Sequence, residues 1–218
     1  MAEVKEFYFT VAAVVLSLLL GLAEPLAAQS DEGVLFELGS GSAPIEVIEI
    51  VSLGCPTCRN FHRDGVFDVF RKHYIDRGHV RWVIRDHFWT KFDFWTSRIV
   101  RCGDPAGRPA RMDKALERQS FITQDKDPQG VVNRLVEVAS NEMGLTRAEA
   151  DACLQDAVGA EGHVSTHRIF LDRYNLSDNP AFGTPFFIID GEPIWNVDGR
   201  VDYQKVNAVI ARKVIEAR

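Results

Sequence analysis

The 218-residue sequence is poor in cysteine, methionine and tyrosine, with four, three and four of them, and it has no run of basic residues. A chain without such a run, at net charge −6, is a poor ligand for nucleic acid, where phosphate contacts dominate affinity. Only one Cys-x-x-Cys is present, Cys55-Pro56-Thr57-Cys58, and a zinc ribbon would want a second. None of the methionines lies near that pair, which weakens a copper(I) site built from soft ligands. Internal repeats and low-complexity segments are also missing. What remains is ordinary for a globular chain with a proper core: 46% hydrophobic and 26% charged residues, enough for one medium domain or one domain carrying an insert.

One long apolar run exists, over residues 7–23, broken only by Thr10, Ser17 and Gly21. It is shorter than the roughly 20 residues of a membrane-spanning helix. Gly21-Leu22-Ala23 and Leu26-Ala27-Ala28 follow as cleavage candidates, so residues 1–28 read as a secretory signal peptide, with an uncleaved membrane anchor as the alternative. Glu3 and Glu6 beside Lys5 depart from the basic start such leaders carry. Removing residues 1–28, with one Lys and three Glu, moves the net charge from −6 to −4. Export would place the cysteines in an oxidising setting.

The Cys-x-x-Cys follows a β-branched run over residues 45–51 and precedes a helical pattern over 59–74, with Phe61, Val66, Phe67, Val69, Phe70 and Tyr74 on one face. Cys55 therefore stands at a helix N-terminus, where free N–H groups and the helix dipole stabilise a thiolate. Such a pair points to thiol–disulfide exchange. Further strands are expected at 34–38, 80–84 and 184–189, the last turning at Asp190-Gly191 into a hairpin partner at 194–197. Helical spacing fills 96–174, including a capping box at Thr146 and Glu149, and a closing helix covers 201–216. Strands followed by crossover helices give the α/β class, with the sheet covered on both faces.

Cys55-Pro56-Thr57-Cys58 after a strand, Thr184-Pro185 before another, and the helical block between them make the chain similar to the DsbA-like branch of the thioredoxin superfamily. The resemblance implies a thioredoxin-like sheet flanked by helices, residues 29–95 and 163–218, with an inserted helical subdomain, 96–162. It implies that Cys55 is the exposed nucleophile and Cys58 the resolving thiol, and that Pro185 is a cis proline leaving the Thr184 backbone to pair with a substrate strand. Glu49 matches the family's buried acid, relaying protons to Cys58. Cys102 and Cys153 match a second, structural disulfide; two free thiols or a second redox pair are the alternatives. Pro56 and Thr57 would tune the potential. The strongly oxidising members carry Pro-His there, and Thr57 offers only a hydroxyl, so a value inside the range from about −120 to about −270 mV is expected.

The implied protein is a periplasmic, monomeric enzyme without metal or organic cofactor. It would introduce disulfides into unfolded or reduced exported proteins and be reoxidised by a DsbB-like, quinone-linked membrane oxidase. In the expected cycle a substrate thiolate attacks the disulfide and expels the Cys55 thiolate. A disulfide reductase or isomerase, and a copper(I)-binding metal-assembly chaperone, are the competing readings. Several residues lie outside this scheme. The aromatic stretch from His87 to Trp95 reads equally as core or as a surface for unfolded polypeptide. His163 and His167, one helical turn apart, read as a metal pair or a solvated face, and Arg98, Arg101, Arg108, Arg111 and Arg118 as a solvated face. His62 falls near the cysteines with no role assigned.

Overall fold

Ile45–Val51 (β2) and Val80–Asp86 (β3) are buried at nearly every position and pair in parallel, the mark of strands covered on both faces. They form the centre of a sheet in a computed structural model that describes residues 33–125, 127–196 and 200–217. The leader expected over 1–28 lies outside the described residues. Val34–Leu38 (β1) runs antiparallel beside β3, Phe186–Ile189 (β4) antiparallel beside β2, and Glu192–Ile194 (β5) closes the far edge, giving the order β1-β3-β2-β4-β5. Asp190 and Gly191 both take positive φ, 48° and 81°, and make a two-residue hairpin turn. That tight turn starts β5 at Glu192, ahead of the expected 194–197.

The two-residue period of β2 sorts its side chains between two cores. Val47 and Val51 join one cluster with Trp82, Phe187 and Phe61; Ile48 and Ile50 join the other with Val83, Phe170 and Phe186. Glu49 falls on the first face by the same alternation. That face is covered by α1 (Pro56–Arg63), α2 (Val66–Phe70) with a π-helical turn over Arg71–Ile75, and the last helix, which begins at Tyr203. Each large apolar side chain buried there contributes about 1.5–3 kcal/mol. The single helix expected over 59–74 is broken because Gly65 takes φ +81°, a left-handed conformation that side chains resist.

Among the described residues, six α-helices and a 3-10 turn (Pro105–Gly107) lie between β3 and β4: α3 (Lys91–Arg101), α4 (Arg108–Glu117), α5 (Gln119–Ile122), α6 (Pro128–Glu142), α7 (Arg147–Gln155) and α8 (Ala157–Arg173). Tyr203–Glu216 is α9. Side-chain caps start most of them: Thr90 with Asp93 and Thr146 with Glu149 form capping boxes, and Asp127, Asp156 and Asp202 accept from the first-turn amides. Cys102, at the C-terminal cap of α3, is bonded to Cys153 in α7, with Cα atoms 5.9 Å apart. Among the described residues no helix is long and apolar enough to cross a membrane.

The solvated faces expected for the arginines and histidines are corrected by this packing. Arg111 is buried and donates to the Val100 and Asp104 carbonyls at 2.9 and 2.6 Å. Arg98 donates to the Cys153 carbonyl at 3.2 Å and the Asp156 carboxylate at 2.8 Å, and Arg108 to the Leu35 carbonyl at 3.1 Å. Arg101 pairs with the buried Asp86 at 2.5 Å. A guanidinium offers five donors, which suits the orphan carbonyls at helix and strand ends. Of the five, Arg118 alone has only an outer partner here, Glu142 at 2.9 Å. His163 is buried with Nε2 3.0 Å from Asp86, and the ring of His167 lies 4.1 Å from that of Phe88. Among the described residues no group of three or more His, Cys, Asp or Glu could hold a metal ion.

Candidate active site

Cys55 is the N-cap of α1, Pro56 occupies its first turn, and Cys58 follows inside that turn. Proline suits this position because the amide it lacks would have no helical partner. Both cysteines are unbonded; Cys55 is half-buried and Cys58 is fully buried. The hydrogen bond with the Cys58 thiol is the largest cause holding the Cys55 pKa near 5, far below the ordinary 9.0. Burial opposes it, while the amides of Cys58 and Thr57 and the contact with Thr184 reinforce it. Cys58 is pushed the other way, first by burial and then by the hydrogen bond with Cys55 and its charge. Its sulfur accepts from the Ser52 amide at 3.4 Å.

The approach to α1 is held by the helical insertion. Asp93 accepts from the Ser52 hydroxyl and the Gly54 amide, both at 2.7 Å, while its other oxygen caps α3 through Thr90. A side chain on Gly54 would collide with that carboxylate at 2.3 Å. Gln119 donates to the carbonyls of Leu53 and Cys55 at 2.8 and 3.1 Å. Across the site, the Thr184-Pro185 peptide bond is cis, and the Cys55 thiol reaches the Thr184 carbonyl at 3.3 Å. Trp89 donates to the Thr184 hydroxyl at 3.1 Å.

Beneath the cysteines, Glu49 is fully buried in β2 and accepts from Trp82 at 2.9 Å and pairs with His62 at 2.8 Å. Burial would lower the His62 pKa, but the Glu49 carboxylate overrules it and raises the value above 6.5. Tyr203, whose ring stacks on Phe61 at 4.9 Å, brings to this side a buried hydroxyl with no hydrogen-bond partner among the described residues. Burial raises its pKa, and the charges of Cys58, Glu49 and Cys55 raise it further.

The structure thus brings Cys55, Pro56, Thr57, Thr184 and Pro185 together, with the buried Cys58 and Glu49 behind them, and leaves the Cys102–Cys153 bond in the insertion. The aromatic stretch divides: His87 is buried with both ring nitrogens unpartnered among the described residues, whereas Trp89 is 52% exposed beside Thr184. Sequence reasoning missed Trp82, Asp93, Gln119 and Tyr203. Only Asp93 carried a legible signal, the spacing of a capping box with Thr90.

Residues 31–212 match the family model described as Thioredoxin. A candidate protein-disulfide oxidoreductase of Rickettsia bellii is 25% identical over 186 residues, covering 83% of this chain and 65% of the relative. One from Rickettsia conorii is 32% identical over 158 residues, covering 71% and 52%. The chain therefore spans between half and two thirds of the length of these curated relatives. Among solved structures, BdbD from Bacillus subtilis superposes with a TM-score of 0.67 at 20% identity, covering 85% of this chain and 95% of that one. Alpha-DsbA1 of Wolbachia pipientis gives 0.64 at 19%, covering 83% and 91%. These likenesses carry the fold.

Proposed function

The chain belongs to the thioredoxin family, with the helical insertion of its DsbA-like form, and from that premise we propose that it is an exported thiol–disulfide oxidoreductase that donates disulfides. The observation that carries the reading is the opposed pair at the start of α1: an accessible Cys55 that ionises near 5 and a buried Cys58 held above the ordinary thiol range. In the oxidised protein, a substrate thiolate attacks the Cys55 sulfur, since Cys58 is out of reach. The Cys55–Cys58 bond breaks, its electron pair goes to Cys58, and Cys58 takes up a proton. A second substrate thiolate then attacks the substrate sulfur of the mixed disulfide and expels the Cys55 thiolate. Burial thus reverses the order expected from sequence, in which Cys55 left first. The net exchange converts two substrate thiols into a disulfide and leaves the Cys55 thiolate and Cys58 thiol. A stable leaving thiolate makes the reduced protein favourable and its disulfide oxidising.

Substrates in this reading are unfolded or reduced exported proteins, received across Thr184 and Trp89. A DsbB-like, quinone-linked membrane oxidase restores the disulfide of a monomeric, periplasmic enzyme. Thr57 in place of histidine favours a second direction, reduction or isomerisation. Equilibration with glutathione buffers, with alkylation to count thiols, separates the two. A potential toward about −120 mV with two titrating thiols supports the donor; one near thioredoxin's about −270 mV overturns it in favour of a reductase.

A further inference from the structure

The Cys58 that leaves in the first step is buried and must gain a proton, yet neither it nor Glu49 touches solvent. His62 is the link the structure offers. Its Nε2 is 2.8 Å from Glu49 Oε1, and the same imidazole lines a cleft of about 300 Å³ shared with Arg63, Phe67, Asp68, Arg71 and Asp113. Arg63, Asp68 and Arg71 are exposed, so the cleft opens to water.

We propose that His62 is a positioning residue that passes protons between solvent in this cleft and the buried Glu49 carboxyl, and through Glu49 serves Cys58. The balance is simple. When the Cys55–Cys58 bond opens, one proton moves from the Glu49–His62 pair to the Cys58 thiolate, and water in the cleft restores it. In the reverse step Cys58 gives the proton back as it attacks the mixed disulfide. Charged groups face the imidazole from every side: Glu49 from β2, Asp68 from α2, Asp113 from α4, Arg71 from the π-helical turn and Arg63 from its own helix. Burial opposes the charged ring, and the carboxylates, Glu49 first, favour its protonated form. Glutamine at this position would keep a hydrogen bond to Glu49 but could not carry a proton.

The inference rests on the proposed exchange chemistry, and single-turnover reduction of the oxidised full chain by dithiothreitol, followed from pH 5 to 9 and normalised to thiolate, tests it. The wild-type rate should fall as His62 loses its proton, with an inflection above 6.5. His62→Gln should lose that inflection and react about tenfold more slowly at neutral pH, less than the loss of a direct general acid because it acts through Glu49. His62→Ala opens the cleft, and added imidazole should restore its rate while leaving His62→Gln unchanged. An unaltered inflection and rate in His62→Gln, or a His62→Ala variant indifferent to imidazole, would overturn the relay alone. A wild-type protein inert toward dithiols would instead overturn the oxidoreductase reading beneath it.

Discussion

The two cysteine pairs carry the same atoms and stand at opposite ends of helices. Cys55 caps the N-terminus of α1, where the amides of Cys58 and Thr57 favour its thiolate. Cys102 caps the C-terminus of α3, and Cys153 lies in the last turn of α7. There the dipole is negative and a neighbour of the Cys102 sulfur is an acceptor, the Glu149 carbonyl at 3.5 Å. A thiolate is favoured at the first location and opposed at the second. In the proposed exchange the first pair is therefore suited to open and the second to persist. The lesson is that redox behaviour is set by helix polarity and burial, and that spacing along the chain is secondary.

The largest effects should come from removing one sulfur of the first pair. Cys55→Ser should reduce oxidation of a dithiol substrate to the uncatalysed background. Cys58→Ser cannot form the pair's disulfide; its Cys55 thiolate should attack a substrate disulfide, expel one substrate thiolate and, with no resolving thiol, accumulate the mixed disulfide, visible as adducts on non-reducing gels. A Cys55→Ser protein oxidising substrates at the normal rate would break the comparison outright. In the second pair, Cys102→Ala with Cys153→Ala should leave exchange near normal. It should destabilise the oxidised protein by about 4 kcal/mol in urea, the chain-entropy value for a loop closed over a separation of 51 residues. A change in exchange rate larger than the change in stability would show that the pairs are not separate devices.

How much of this was legible depended on whether the signal was local. The strands around Ile48 and Val83, the helix start at Cys55 and the Thr146–Glu149 cap follow from residues adjacent in sequence, and the structure has them. The parity of β2 puts Glu49 on the face that α1 covers, so its position beneath the cysteines was within reach of sequence. Its partners were not, because Trp82 and His62 meet it only through the β2–β3 register and the packing of α1. The arginines misled for a related reason. Interspersed acids suggested a solvated face, but Arg101 and Arg111 turn inward to carbonyls and to Asp86, a choice fixed by where helix ends fall in space.

A pH experiment sharpens the contrast between the pairs without any substitution. In the reduced protein, alkylation of Cys55 should rise through a midpoint near 5, with Cys102 and Cys153 unmodified throughout. The folded Cys55 pKa lies below its unfolded value. The thiolate's contribution to the stability of the reduced form is therefore fully present above about 9 and lost as pH falls through about 5. The stability gap between reduced and oxidised protein should widen with pH across that window. A gap that stayed flat would mean the thiolate is no more stable at the helix start than in the unfolded chain.

The smallest expected effect concerns the residue between the cysteines. The Thr57 amide already favours the Cys55 thiolate, so the side chain is the part left to change. Thr57→His would place an ionisable donor in the first turn of α1, beside a thiolate that the dipole already favours. The added charge should move the Cys55 midpoint below 5. A tenfold gain in the reduced form corresponds to about 30 mV toward the oxidising end. The direction follows from electrostatics alone: stabilising the leaving thiolate stabilises the reduced protein and weakens the disulfide. If the potential moved and the Cys55 midpoint did not, the dipeptide would be acting on the oxidised state, through strain in the four-residue ring, and helix polarity would explain less of the difference between the two pairs.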